Sequence, residues 1–320
     1  MENRCGINAD GLYSYDHLED AVREGLVDEK WINQSARRVL AHKFASGLFE
    51  NPMTATDKFD QLNNASAQAI ALQAAQQGIV LLNNSDALLP LTMSAYKSIA
   101  IVGQNAACFT GERSPCNAQQ NALGKTLHVL GDKANISTVA SVAQARFPDL
   151  SIRTALGSPI NTRATEADLA AAVSIAQDAD ITIAVVGDSM RSCAEFGDRD
   201  SLDLPSDQLE LLARLLALGK PLVLVLVHGR PATFWHNGSN LLDVASTVVT
   251  AFRPGQAGGE AVWNVLTGLA EPIGRLPQAW PRHTGQIGGP ANPWYQAVNG
   301  KWIMNTRGPL YPDGTYPFDP

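Results

Sequence analysis

Four carboxylates crowd one short stretch of this chain. Glu195, Asp198, Asp200 and Asp203 lie within nine positions, beside Arg191 and Arg199 and a little downstream of Asp188. Glycoside cleavage is the common reaction that needs two carboxyls, one protonated to assist the leaving group and one ionised. A carboxyl serving as the acid needs its pKa raised, by burial or by a second carboxylate. Arg199 acts in the opposite direction on Glu195, so a working acid here must have burial or a neighbouring negative charge outweigh that guanidinium. Spacing alone does not assign the two parts, and a solvated charged loop with internal ion pairs has the same composition.

Other chemistry is weakly supported. Gly103 ends an apolar run, but the following Gln-Asn-Ala-Ala-Cys-Phe-Thr-Gly has no G-x-G-x-x-G, and no Walker lysine is present. There is no G-x-S-x-G nucleophile elbow. His228 and His236 flank Gly229-Arg230-Pro231, yet no third ligand can be placed for a metal, so both read as ordinary hydrogen-bonding histidines. No cofactor and no metal site are therefore expected. Cys5, Cys108, Cys116 and Cys193 are too few and too scattered for a disulfide scaffold. Cys108 and Cys116 are spaced for either a loop disulfide or two free thiols.

The carboxylate cluster needs a frame, and the surrounding pattern provides one. Ile181–Val186 is a continuous apolar run, the signature of a strand buried on both faces. After the long charged loop, Pro205-Ser206-Asp207 caps a Leu-rich helix. Strands are also expected at 79–82, 98–102, 150–154, 222–227 and 247–252. They alternate with helices at 65–77, 139–147, 165–176 and 258–266, the one at 165 opened by a Thr-x-x-Asp capping pattern. That alternation means an α/β fold with a mainly parallel sheet sandwiched between helices, whose ligands bind at the carboxyl ends of the strands. Upstream, a short helix is expected at 17–26. A stronger one starts at Asp28, with Trp31, Ile32, Val39, Leu40, Phe44 and Leu48 on one stripe. No strand precedes that stripe, so it lacks an obvious surface to lie on. From Gly268 onward prolines and glycines are dense and an extended tail is expected.

The net charge of -7 and pI near 5.4 argue against nucleic acid or an anionic membrane as partner. No apolar run reaches the roughly 18–20 residues that cross a bilayer. Met1-Glu2-Asn3-Arg4 lacks the apolar core of a secretory leader, which leaves the compartment open.

A resemblance narrows the reading. Ile32-x-x-Ser-Ala-Arg-Arg-Val-Leu-Ala-x-Lys-Phe-x-x-Gly-Leu-Phe is followed by Gly78-Ile-Val-Leu-Leu-Asn-Asn with Leu88-Leu-Pro-Leu, and by Ile99-Ala-Ile-Val-Gly-Gln-Asn-Ala. Then come Glu195-Phe-Gly-Asp-Arg-Asp-Ser-Leu-Asp-Leu-Pro with Gln208, Gly229-Arg-Pro, Pro254-Gly-Gln-Ala-Gly-Gly and Gly274-Arg-Leu-Pro-Gln-Ala-Trp-Pro-Arg. In this order, over most of the chain, these segments resemble the C-terminal part of a family 3 glycoside hydrolase of the β-glucosidase and β-xylosidase type. The resemblance implies a (β/α)8 barrel followed by an α/β sandwich, and retaining double displacement on β-linked gluco- or xylo-oligosaccharides or aryl glycosides. It makes Glu195 the general acid/base, with Asp198, Arg199 and Arg191 shaping the substrate loop. It divides the chain into 1–53, the last helices of a barrel; 54–77, a linker helix; 78–282, the sandwich; and 283–320, a Pro/Gly-rich tail. The family's nucleophile is an aspartate in Ser-Asp-Trp or Ser-Asp-Tyr, and neither occurs here. Asp10 and Asp16 are the substitute nucleophiles on offer upstream, in a loop where the family places none.

These departures lead to three expectations. The chain is a fragment that is inactive alone, the missing barrel is its docking partner, and the full-length parent is secreted or periplasmic. The alternative is a non-catalytic module that binds carbohydrate or a partner protein.

Overall fold

The computed structural model describes residues 15, 17–53, 61–110, 116–123, 136–193, 199–282, 284, 295–298 and 301–304. The chain forms two compact units, Met1–Gln61 and Leu62–Pro320. In the first, α1 spans Leu18–Arg23 and α2 spans Glu29–Ala45. Asp28 caps α2 by accepting a bond from the Lys30 amide, as expected of an N-cap aspartate. No residue of α2 is buried; Trp31 is 56% exposed and Phe44 60%.

The second unit opens with α3 (Ala65–Gly78) and β1 (Val80–Asn84), and continues through β2 (Ser98–Val102), α4 (Asn117–Leu123), α5 (Val139–Arg146) and β3 (Ser151–Ala155). Then come α6 (Glu166–Asp178), β4 (Ile181–Gly187), α7 (Gln208–Leu216) and β5 (Leu222–Val227). A small hairpin, β6 (Trp235–His236) with β7 (Ser239–Asn240), precedes β8 (Thr247–Phe252) and α8 (Gly258–Leu266). Far along the tail, β9 (Tyr295–Val298) and β10 (Lys301–Met304) pair antiparallel, where an extended tail was expected. The residues between them in sequence are Asn299-Gly300, a pair favoured at hairpin turns that the density of prolines obscured.

Six strands form one sheet in the order β1-β8-β5-β4-β2-β3. Five are mutually parallel and β1 runs antiparallel along the edge of β8. Alternate side chains of each central strand feed two separate cores, because successive residues of a strand point to opposite faces. Ile183 and Val185 of β4, with Val223 and Val225 of β5, join Val262 and Trp263 of α8, Val139 of α5 and Leu72 of α3. Ala184 and Val186, with Leu224 and Leu226, join Leu169 of α6 and Leu211, Leu212 and Leu215 of α7. This two-sided burial is why β4 and β5 read as unbroken apolar runs rather than alternating ones. The result is a mainly parallel sheet sandwiched between helices.

Local signals hold in detail. Thr165 caps α6 through a reciprocal box with Asp168, as the Thr-x-x-Asp pattern implied. Asp207 occupies the N-cap position of α7 but does not cap it. Its carboxylate instead accepts the Ala164 amide at 2.8 Å and pairs with Arg163, tying the loop before α6 to the start of α7. Cys108 and Cys116 are joined as a disulfide, which resolves the alternative their spacing left open.

Candidate active-site loop

The chain goes outward from β2 to β3 and then returns to β4 on the other side of β2, so strand order reverses between β2 and β4. In open α/β sheets that reversal opens a crevice at the carboxyl ends of the two strands, where ligands bind. The charged loop leaves β4 at this point. Its first requirement is a sharp exit. Gly187 has a φ of 144°, and a Cβ there would collide with the Val227 carbonyl of the neighbouring strand. Gly103, at the end of β2, is equally closed in by the Val185 carbonyl. Gln208, the first residue of α7 and only 1% exposed, holds Gly187 from both sides. Its Nε2 donates to the Gly187 carbonyl at 2.9 Å, and its Oε1 accepts the Gly187 amide at 2.9 Å.

A buried polar cage follows. Asn105 Nδ2 donates to the carbonyls of Asp188 and Val227, each at 3.3 Å, and Asn121 Nδ2 donates to Asn105 Oδ1 at 2.7 Å. Asn121 Oδ1 in turn accepts the Met190 amide at 3.1 Å. Ser189 Oγ accepts the Arg191 and Ser192 amides and donates to Asn161 Oδ1, so Ser189–Cys193 closes into a tight turn. Asp188 is buried beside it. Burial pushes its carboxyl above the ordinary aspartate range, opposed by the Gly229 amide and by the charges of Arg230 and Arg199.

The downstream end is fixed differently. Leu202–Leu204 adds to Thr233 as one rung of parallel sheet: the Thr233 amide donates to Leu202, and the Leu204 amide donates to Thr233. Asp203 accepts hydroxyl bonds from Thr233 on one oxygen and Ser201 on the other. The loop carboxylates therefore divide. Asp203 is structural and Asp200 is exposed. Glu195 and Asp198 lie outside the described residues. Of the remaining expected loop residues, Arg191 is exposed and Arg199 is half-buried with its charge felt at Asp188.

The two histidines do what their sequence context suggested. His228 is fully buried, with Nδ1 against the Arg230 carbonyl, Nε2 2.7 Å from Thr250 Oγ1, and its ring packed on Phe252 and Trp280. Burial pushes its pKa down to about 4. His236 Nε2 sits 3.1 Å from Glu210 Oε2 on the surface of α7.

The model for the glycosyl hydrolase family 3 C-terminal domain matches residues 79–318. The chain belongs to this family. It is similar to a beta-xylosidase of Formosa agariphila, 29% identical over 308 residues, which cover 94% of this chain and 41% of the relative. It is also similar to a periplasmic beta-glucosidase of Salmonella typhimurium, 31% identical, over 96% of this chain and 42% of that protein. Among solved structures, a beta-glucosidase involved in saponin metabolism from intestinal bacteria superposes with a TM-score of 0.72 at 26% identity, covering 92% of this chain and 44% of that one. A D270A mutant beta-glucosidase from Listeria innocua in complex with laminaribiose superposes with a TM-score of 0.71 at 25% identity, over 95% of this chain and 40% of that one. The chain thus spans about two fifths of the length of the relatives it matches.

Within this family-3 frame, several loop-holding residues escaped the sequence reading. Arg230 follows β5 by three residues and Arg253 follows β8 by one. Each precedes a proline just past a buried parallel strand, and a basic residue at the carboxyl end of such a strand was the available signal. Gln208 stood among the family-matching residues, but nothing in its type foretold the double bond to Gly187.

Proposed function

We propose that this chain is the acid/base-bearing part of an exo-acting β-glycosidase of the β-glucosidase or β-xylosidase type, with Glu195 as the general acid/base. The observation that carries the reading is the setting of its loop. Residues 188–204 leave the sheet where strand order reverses and are held by hydrogen bonds at both described ends. On this reading, Asp198, Arg199 and Arg191 shape the loop around a β-linked gluco- or xylo-oligosaccharide or an aryl glycoside. In the retaining mechanism an aspartate attacks the anomeric carbon while the protonated Glu195 donates its proton to the departing oxygen. Glu195 then removes a proton from the water that hydrolyses the glycosyl-enzyme. The aspartate comes from a (β/α)8 barrel, of which residues 1–53 are the last helices, and the exposed stripe of α2 is the surface that barrel covers. The Cys108–Cys116 disulfide suits a secreted or periplasmic parent.

Three measurements test this. The chain alone is expected to turn over no aryl β-glucoside. Adding a separately produced family barrel is expected to give turnover that Glu195→Gln abolishes. Turnover by the chain alone that vanishes in Glu195→Gln would instead place a nucleophile within these residues. The exposed α2 stripe also favours a second reading, a non-catalytic carbohydrate- or partner-binding module, and for such a module the added barrel restores nothing.

A further inference from the structure

We propose that Arg253 is a positioning residue for the acid/base loop, acting on the backbone of Ser189–Cys193 and not on substrate. The inference rests on the assignment of Glu195 above, since the turn it grips runs directly into the segment that contains that residue. Arg253 stands one position past β8. Its Nη1 donates to the Asn121 carbonyl at 2.8 Å, and its Nη2 donates to the Cys193 carbonyl at 2.6 Å and the Ser189 carbonyl at 3.5 Å. A planar guanidinium spread over three backbone oxygens fixes a chain path as a lysine's single ammonium cannot. Arg230, from the end of β5, grips the same turn through Nη2 to the Ser192 carbonyl at 2.9 Å and Nε to Cys193 Sγ at 3.3 Å.

Gly229 supplies the floor of the clamp. A Cβ there would stand 2.7 Å from Cys193 Sγ and 2.9 Å from Arg253 Nε, so the missing methyl is what lets both settle. The entry to the loop is thereby held from two strand ends, while the exit is held by its rung with Thr233. A general acid needs hydrogen-bond reach to the leaving oxygen, and a displacement of about 1 Å costs on the order of a hundredfold in rate. Fixing where the chain enters the loop is how a residue that touches no substrate acts on that reach.

The test uses the full chain and needs no turnover. The rate at which iodoacetamide alkylates Cys193 is read on its own peptide by mass spectrometry, which keeps Cys5 separate, alongside thermal melting. Arg253→Met is expected to melt cooperatively and to expose Cys193 at least about tenfold faster, the order of one lost charge-assisted bond. Arg253→Lys recovers part of the protection. Millimolar methylguanidinium recovers most of it in Arg253→Met and leaves the wild type unchanged. A folded Arg253→Met with wild-type alkylation overturns the proposal. So does acceleration that neither lysine nor methylguanidinium reverses, because that marks general loosening rather than a lost clamp. Should Arg253→Met not fold, Gly229→Ala replaces it: faster alkylation supports the clamp, and an unchanged rate overturns it. Failure of the Glu195 assignment is read elsewhere, in Glu195→Gln, so the two ideas fall separately.

Discussion

Two helices of this molecule carry apolar stripes, a dense one on α7 and a sparser one on α2, and they meet opposite fates. In α7, Leu209, Leu211, Leu212 and Leu215 are all buried against the sheet. In α2, Trp31, Val39, Leu40 and Phe44 recur at similar spacing and every one is exposed. Helical periodicity therefore marks which face is apolar and is silent on whether anything covers it. The sheet beside α7 is part of the same unit. No strand is found among the described residues of the unit that holds α2, and the relatives are more than twice this chain's length.

That contrast is testable in descending order of effect. The harshest break is at the sheet. Gly187→Ala puts a methyl into the Val227 carbonyl, and a loss of about 4 kcal/mol or more is expected, enough to deplete folded protein in a denaturant melt. A paired truncation sharpens the comparison directly. Leu212→Ala should cost about 3 kcal/mol, whereas Phe44→Ala should stay within about 0.5 kcal/mol because its ring is already in water. Equal losses at the two sites would mean that α2 is covered in solution.

Acid provides the third comparison, again acting on the sandwich alone. His228 is held neutral inside, its folded pKa of about 4 lying below the unfolded value of 6.5. A lowered folded pKa contributes stability that is complete above pH 6.5 and is lost as pH falls toward 4. The loss from this group is on the order of 3 kcal/mol. His228→Gln should flatten the stability profile across that window, and an unchanged slope would show that carboxylates account for it. Asp188 has the opposite sign, since its raised pKa makes its charge a burden that grows as pH rises through its folded value.

Most of the sandwich was legible because buried parallel strands are unbroken apolar runs and helices announce their caps. Strand direction was not, since no residue type distinguishes β1 running against β8 from a further parallel strand. The hairpin of β6 and β7 left one signal that went unread, the Asn237-Gly238 pair at its turn, because its two-residue strands carry no alternation. At the site, the carboxylate cluster and the family motif selected the loop, yet the division of labour within it emerged only from contacts. Asp203 and Asp200 are the same residue type three positions apart, and only the Thr233 rung makes one of them structural. The roles of Arg253 and Arg230 did not show for a related reason, although a basic residue just past a buried strand marked both positions. Both grip backbone carbonyls, and every residue has one.

The antiparallel edge strand has one more consequence. β1 pairs with β8, Val80 bridges to Ile273, and the Gly274 amide donates to the Ile79 carbonyl. The first and last segments of the sandwich are thus stitched side by side. A ribosome making this chain must release nearly the whole domain before its first strand finds a place, so sheet closure is a late, long-range event. The same stitching makes the sandwich a module with a single attachment seam, one that can be joined to or cut from a neighbouring domain without unthreading the sheet.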